Sequence, residues 1–232
     1  MKPTVKYHDW GLIRYAEAWQ KQEQLFAQKL ELKVHNRNQP DDTKPIYHDL
    51  ILCQHPPVFT IGKSGALENL LVTNAELVEK GIDFFKNNRG GDITFHGPEQ
   101  LVGYPILDLE QLKTDIGWYM RCLEEVMIKT LLTYGISSDR SKGETGVWLD
   151  SGTPHARKIC AFGVRTSRWV TMHGWALNIN TQLSYFNYIV PCGIVDKSVT
   201  SMNNELSKWV DYTEVQRKVC YYFEEVFDVK II

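Results

Sequence analysis

The chain has 232 residues, 43% of them hydrophobic, and a formal net charge of −2 at pH 7. That length supports one sizeable core, and the near-neutral balance gives no bulk electrostatic case for nucleic acid or membrane as a partner. No apolar run approaches the ~18 residues of a transmembrane helix, and the first six residues lack the apolar stretch of a secretory signal. Five cysteines (Cys53, Cys122, Cys160, Cys192 and Cys220) are scattered without C-x-x-C spacing. They indicate neither a disulfide framework nor a zinc knuckle and fit a reduced, cytoplasmic compartment.

In chain order, residues 15–34 carry a modest apolar stripe and predict a helix. Residues 36–45 read as an exposed loop, and residues 50–53 as a short buried strand. His55-Pro56-Pro57 then leads into a second extended piece. Asn74 is placed to cap a short helix ending at Gly81. Residues 82–85 and 101–107 are strand-like. Asp115 opens the longest helical pattern, with Gly135 as its stop. Residues 146–149, 158–166 and 169–179 predict strands, the last two joined tightly at Ser167-Arg168. Thr213-x-x-Gln216 has the form of a capping box before a final helix over 214–227. Strands outnumber helices and hairpin links dominate, so residues 1–232 are expected to form a single α+β domain with a mixed sheet.

Four glycines fall between or at the edge of the last two strand-like pieces of the first half, Gly103 within the second, in Arg89-Gly90-Gly91-Asp92-Ile93-Thr94-Phe95-His96-Gly97-Pro98-Glu99-Gln100-Leu101-Val102-Gly103-Tyr104. Glycine weakens a strand, so its concentration implies either a close approach to the backbone or a sharp turn. Arg89, Thr94, His96 and Gln100 would line that approach; the alternative is a glycine-rich hairpin with its polar residues in water. In Pro191-Cys192-Gly193, proline fixes φ before the cysteine and glycine frees the backbone after it. The sulfur is then either presented on a turn or packed as a small hydrophobe. In residues 157–164 a period of two puts Lys158, Cys160, Phe162 and Val164 on one side. A lysine in that company is either a rim residue or a partly desolvated amine suited to proton transfer. His96 and His173 either pair with Cys192, as in a cysteine hydrolase, or bond locally.

Taken together, the ordered motifs resemble the octanoyltransferases of lipoate biosynthesis, the lipoate-protein ligase B family. They are the stretch from Cys53 to Gly62, the glycine motif, Arg157-Lys158-Ile159, His173-Gly174-Trp175-Ala176-Leu177-Asn178, Pro191-Cys192-Gly193-Ile194 and Thr200-Ser201. One departure stands out: Glu99 occupies the place of a common family glycine in His96-Gly97-Pro98-Glu99-Gln100, where it adds a carboxylate and resists positive φ.

The resemblance implies the biotin/lipoate protein ligase catalytic fold, related to class II tRNA synthetases. It implies transfer of an octanoyl group from octanoyl-acyl carrier protein to a lysine of a lipoyl domain, as in 2-oxoacid dehydrogenases or glycine cleavage H protein. Cys192 would be the nucleophile and Lys158 its partner, with no cofactor or metal required. An ordinary cysteine is only a few per cent thiolate at pH 7, and a nearby ammonium that brings ionisation to about half is worth about 2 kcal/mol. The substrate-contact positions map onto Arg89, Gly90, Gly91, Asp92, Ile93, Thr94, Phe95 and His96, onto Ala161, Phe162 and Gly163, and onto Gly174, Trp175 and Ala176. Arg157, Arg165 and Arg168 are candidates for steering an acidic carrier protein. Rival readings are an ATP-dependent lipoate or biotin ligase on the same fold and a non-catalytic carrier-protein-binding module.

Overall fold

The computed structural model describes residues 2–190 and 198–232, so Cys192 and its immediate neighbours lie outside the described residues. The centre of the fold is three strands, β2 (His48–Gln54), β6 (Gln100–Ile106) and β10 (Val170–Asn178), almost every residue of which is buried. Strands covered on both faces read as continuous apolar runs, and this is why they were legible. Leu50 and Leu52 enter one core cluster while Ile51 and Cys53 enter another, as a period of two demands.

These strands sit in a nine-stranded mixed sheet. Its order is β12 (Lys230–Ile231), β1 (Thr4–Leu12), β2, β6, β10, β9 (Arg157–Ser167), β8 (Glu144–Leu149) and β7 (Asp139–Ser141), with β11 (Ser198–Val199) pairing β9. A second, three-stranded sheet has the order β4 (Asp83–Lys86), β3 (Val58–Ile61) and β5 (Ile93–His96). Helices α3 (Ile116–Leu132) and α5 (Tyr212–Phe227) cover one face of the large sheet, and α1 (Tyr15–Asn38) covers the other. The architecture is therefore α+β with a mixed sheet flanked by helices. Among the described residues no helix is long and apolar enough to cross a membrane.

Several local expectations shift. Strand β1 went unread because only Val5 is fully buried along it, so no alternating pattern marks it. At 24 residues α1, not α3, is the longest helix. Its buried face runs Tyr15, Ala18, Gln22, Phe26 and Lys29 at helical spacing, two of them polar, which dilutes the apolar signal. The short helix α2 (Asn74–Glu79) is capped by Thr73, one residue earlier than expected, through a capping box with Glu76. Asp115 caps α3 as expected, but α5 is capped by Asp211, whose side chain accepts from the amides of Thr213 and Glu214. The link between β9 and β10 falls at Arg168 and Trp169, both at positive φ.

Candidate active site

The glycine motif is not a hairpin. Its first part is a loop over residues 87–92, its second part is β5 in the small sheet, and the turn at Gly97-Pro98-Glu99 hands the chain to β6 in the large sheet. The loop forms a roof tied to both sheets. Gly62 N donates to Asp92 O at 3.3 Å, Lys63 N to Arg89 O at 2.9 Å and Gly90 N to Val164 O at 2.9 Å. The buried Arg89 guanidinium reaches back to Thr60, donating to its carbonyl at 2.6 Å and its hydroxyl at 2.9 Å.

Close approach is why glycines are needed here, but the approaching group is the protein's own backbone. A Cβ on Gly62 would stand 2.3 Å from Gly91 O, and one on Gly163 would stand 2.9 Å from Gly90 O.

Between this roof and the large sheet lies a cavity of about 440 Å³, within the range of small-molecule sites. Every pocket residue expected from the resemblance lines it except Phe95. Phe95 instead stacks on Tyr185, ring centroids 4.6 Å apart, while Ile93, Thr94 and His96 reach the cavity. Lys158 also lines the cavity, near the start of β9, whereas Gly163 and His173 stand about five residues further along the strand pair. That separates the two ends by roughly 16 Å at ~3.3 Å per residue.

A register shift in the β8–β9 pairing breaks the alternation expected for β9. Val147 pairs with Cys160 but Trp148 pairs with Lys158, leaving Ile159 as the extra residue. Cys160 is consequently sealed in the core cluster while Lys158 faces the cavity. The Lys158 Nζ sits 4.6 Å from the centre of the Trp148 ring.

A chain of side chains joins the roof strand to the Lys158 strand. Gln100 Nε2 donates to Phe95 O at 3.1 Å and to Asn178 Oδ1 at 2.9 Å, and Asn178 Nδ2 donates to Thr200 O at 3.0 Å. Thr200 N in turn donates to Lys158 O at 2.9 Å. Because the carbonyls of Phe95 and Thr200 only accept, both amide orientations follow, and Gln100 Oε1 must accept from His96 Nδ1–H at 2.9 Å. The other His96 nitrogen faces the Thr60 hydroxyl at 3.4 Å.

His173 sits at positive φ, fully inside, with Nε2 2.7 Å from Asn88 Oδ1. Burial holds both rings neutral: His96 is pushed down to about 3 by desolvation and the neighbouring His55, and His173 to about 3 by desolvation and Arg89. They act as fixed hydrogen-bonding groups rather than as titrating bases near pH 7, which disfavours the cysteine–histidine hydrolase arrangement.

Among the described cysteines, burial raises every thiol. Cys122 is pushed up to about 11, Cys220 to about 12, and Cys53 and Cys160 higher still. None of these four is a ready thiolate at neutral pH.

Two of the three arginines expected to steer a carrier protein are held in ion pairs. Arg157 is held bidentately by Glu205 at 2.7 Å and also meets Asp150. Arg165 pairs with Glu23 at 3.1 Å, towards the end of β9 away from Lys158, and Arg168 lies beyond it in the β9–β10 turn. Glu99 adopts φ +62 and turns its carboxylate to Asn180 Nδ2 at 2.8 Å, outside the cavity lining. Sequence reasoning missed Tyr15, Tyr104, Met120, Trp148 and Asn178 as lining residues. Only Tyr104 and Asn178 had a usable signal, each lying within a motif already singled out.

The sequence pattern of the lipoyl protein ligase A/B catalytic domain matches residues 14–224. The chain is 52% identical to an octanoyltransferase of Christiangramia forsetii, covering 100% of this chain and 99% of the relative. It is 53% identical to an octanoyltransferase of Flavobacterium johnsoniae, covering 100% of both. The chain belongs to the octanoyltransferase family. It is accordingly an acyltransferase enzyme of lipoate biosynthesis. Its fold is similar to that of a bipartite lipoate protein ligase from Thermoplasma acidophilum, with TM-score 0.70 at 14% identity, covering 100% of this chain and 86% of that one. At that identity the likeness speaks for the fold alone.

Proposed function

We propose that residues 1–232 act as one catalytic domain that moves an octanoyl group from octanoyl-acyl carrier protein to a lysine of a lipoyl domain, through a thioester on Cys192. The observation that carries this reading is the placement of Lys158 at one end of a cavity lined by apolar and glycine residues of β9, β10 and the roof loop. A saturated acyl chain gains about 0.8 kcal/mol per buried CH₂, and such a wall gives it somewhere to go. The case for Cys192 rests on the Pro191-Cys192-Gly193 motif, on family membership, and on the high thiol pKa of the four described cysteines.

In the first half-reaction the Cys192 thiolate attacks the donor's thioester carbon, and the tetrahedral adduct expels the carrier thiolate, which Lys158 protonates. One C–S bond forms as another breaks, so little free energy separates the two thioesters and no ATP is needed. In the second half, the neutral acceptor amine attacks octanoyl-Cys192. The C–N bond forms, the C–S bond breaks, Lys158 takes the amine proton and Cys192 leaves as thiolate. The His96–Gln100–Asn178 chain and the Thr200 amide hold the Lys158 backbone in place throughout. The lipoyl domains in question are those of 2-oxoacid dehydrogenases and of glycine cleavage H protein, and the compartment is the cytoplasm.

The test is octanoyl transfer to a purified lipoyl domain without ATP. Wild type should modify the acceptor from octanoyl-acyl carrier protein, whereas Lys158→Ala and Cys192→Ala should be reduced by orders of magnitude. Modification that instead requires ATP and free octanoate would overturn the proposal in favour of a ligase.

A further inference from the structure

We propose that Trp148 is a positioning residue that holds the Lys158 ammonium against its indole face, a role that rests on the reading of Lys158 given above. The register shift creates the contact. By letting Ile159 bulge out of the β8–β9 ladder, it makes Trp148 and Lys158 direct cross-strand partners. Bulges of this kind re-aim a side chain beside a site. The indole is 2% exposed, so it is a fixed surface rather than a mobile one. With Nζ 4.6 Å from the ring centre, the lysine lies where the ring quadrupole attracts a cation.

The floor under this contact is built to leave room for it. Gly146 has φ +143, a backbone conformation other residues avoid, and a Cβ there would stand 3.1 Å from Lys158 Cε and 3.0 Å from Trp148 Nε1. Its amide is oriented towards Glu124 Oε1 at 3.4 Å, and Glu124 is itself fully buried and ion-paired with Arg121 at 2.8 Å and Arg140 at 3.1 Å. The glycine slot, the indole face and the buried carboxylate beneath them form a seat for one lysine side chain. The lysine stem has four rotatable methylenes, and the indole face favours one placement of the ammonium among those they allow. An aliphatic residue in place of Trp148 would fill space without the quadrupole.

The experiment compares Trp148→Phe, Trp148→Tyr and Trp148→Leu in the ATP-free transfer assay. A face contact of this kind is worth on the order of 2- to 30-fold in rate. Trp148→Leu should lower kcat by about 10-fold with KM for the acyl donor within about 2-fold, and the aromatic variants should keep most of the wild-type kcat. On the wild-type protein, the Lys158 ε-methylene protons should resonate upfield through the indole ring current. Equal kcat in Trp148→Leu and Trp148→Phe, or Lys158 ε-protons at their ordinary position, would overturn the role of Trp148. Full activity in Lys158→Ala would overturn the underlying reading of Lys158 and this role with it, so the two failures are distinguishable.

Discussion

Gly90 rests directly on Gly163. The Gly90 amide donates to the neighbouring Val164 carbonyl at 2.9 Å, and its own oxygen would lie 2.9 Å from any Cβ added to Gly163. This contact is where the roof loop meets the large sheet. Gly163→Ala pushes against backbone, not against the end of a flexible side chain, so the roof must lift. We expect a destabilisation of about 1–3 kcal/mol, in line with overpacking elsewhere, together with a raised KM for the acyl donor. Urea unfolding and steady-state kinetics on the same variant check both parts.

Acid should unfold the protein through its buried histidines. Desolvation lowers His48 to about 4, His55 to about 4, and His96 and His173 to about 3 each. Each has an unfolded value near 6.5. Below that value the unfolded chain binds protons the folded one refuses, so stability falls as pH drops from about 6.5 towards 4. Each histidine contributes a slope of about 1.4 kcal/mol per pH unit across its window. Unfolding free energies measured at pH 7, 6 and 5 should show a slope of several protons, and His48→Gln should remove one. A flat profile would contradict the neutral assignment.

Lys29 is buried on α1 and pairs with Asp49 of β2, whose other oxygen meets His8 at 2.7 Å. Removing one member of a buried pair leaves an uncompensated charge and costs about 3–5 kcal/mol, whereas removing both often costs little. Lys29→Met should therefore be strongly destabilised in thermal melts, and the Lys29→Met/Asp49→Leu double variant should recover most of the loss. Transfer activity per folded molecule should stay unchanged in both, because neither residue lines the cavity.

Glu99→Gly puts a glycine at a left-handed turn position. The change relieves a left-handed backbone, worth roughly 1–2 kcal/mol, and gives up the Asn180 bond, worth about 1 kcal/mol. Stability should move by about 1 kcal/mol or less and octanoyl transfer should be retained, since the carboxylate points out of the cavity. A large loss of activity would show that Glu99 does more than fill a turn.

How much of this was legible follows from where each signal lies. The central strands declared themselves because burial on both faces gives unbroken apolar runs, and Asp115 and Gly135 punctuate α3 by their own chemistry. Strand β1 stayed hidden because only Val5 along it is fully buried, so no apolar alternation marks it. The glycines mark close approach, but local sequence does not say whether a ligand, a backbone as at Gly90 or a ring as at Gly97 and Gly103 approaches. Phe95 shares its motif with cavity residues but packs on Tyr185, a partner from another element that the motif does not reveal. The seat of Lys158 was the least legible part. It depends on a one-residue bulge and on Glu124 and Trp148, which lie in other elements and meet Lys158 or its floor only after folding.

Whether Cys192 carries the acyl group is measured directly by intact-mass spectrometry. Wild type and Cys192→Ala would each be mixed with octanoyl-acyl carrier protein without ATP and quenched gently to preserve thioesters. Wild type alone should gain one octanoyl group, which disappears when a lipoyl domain is added and reappears on that domain. A folded wild-type protein that gains no mass and modifies no acceptor would contradict that role for Cys192, as would equal acylation of Cys192→Ala.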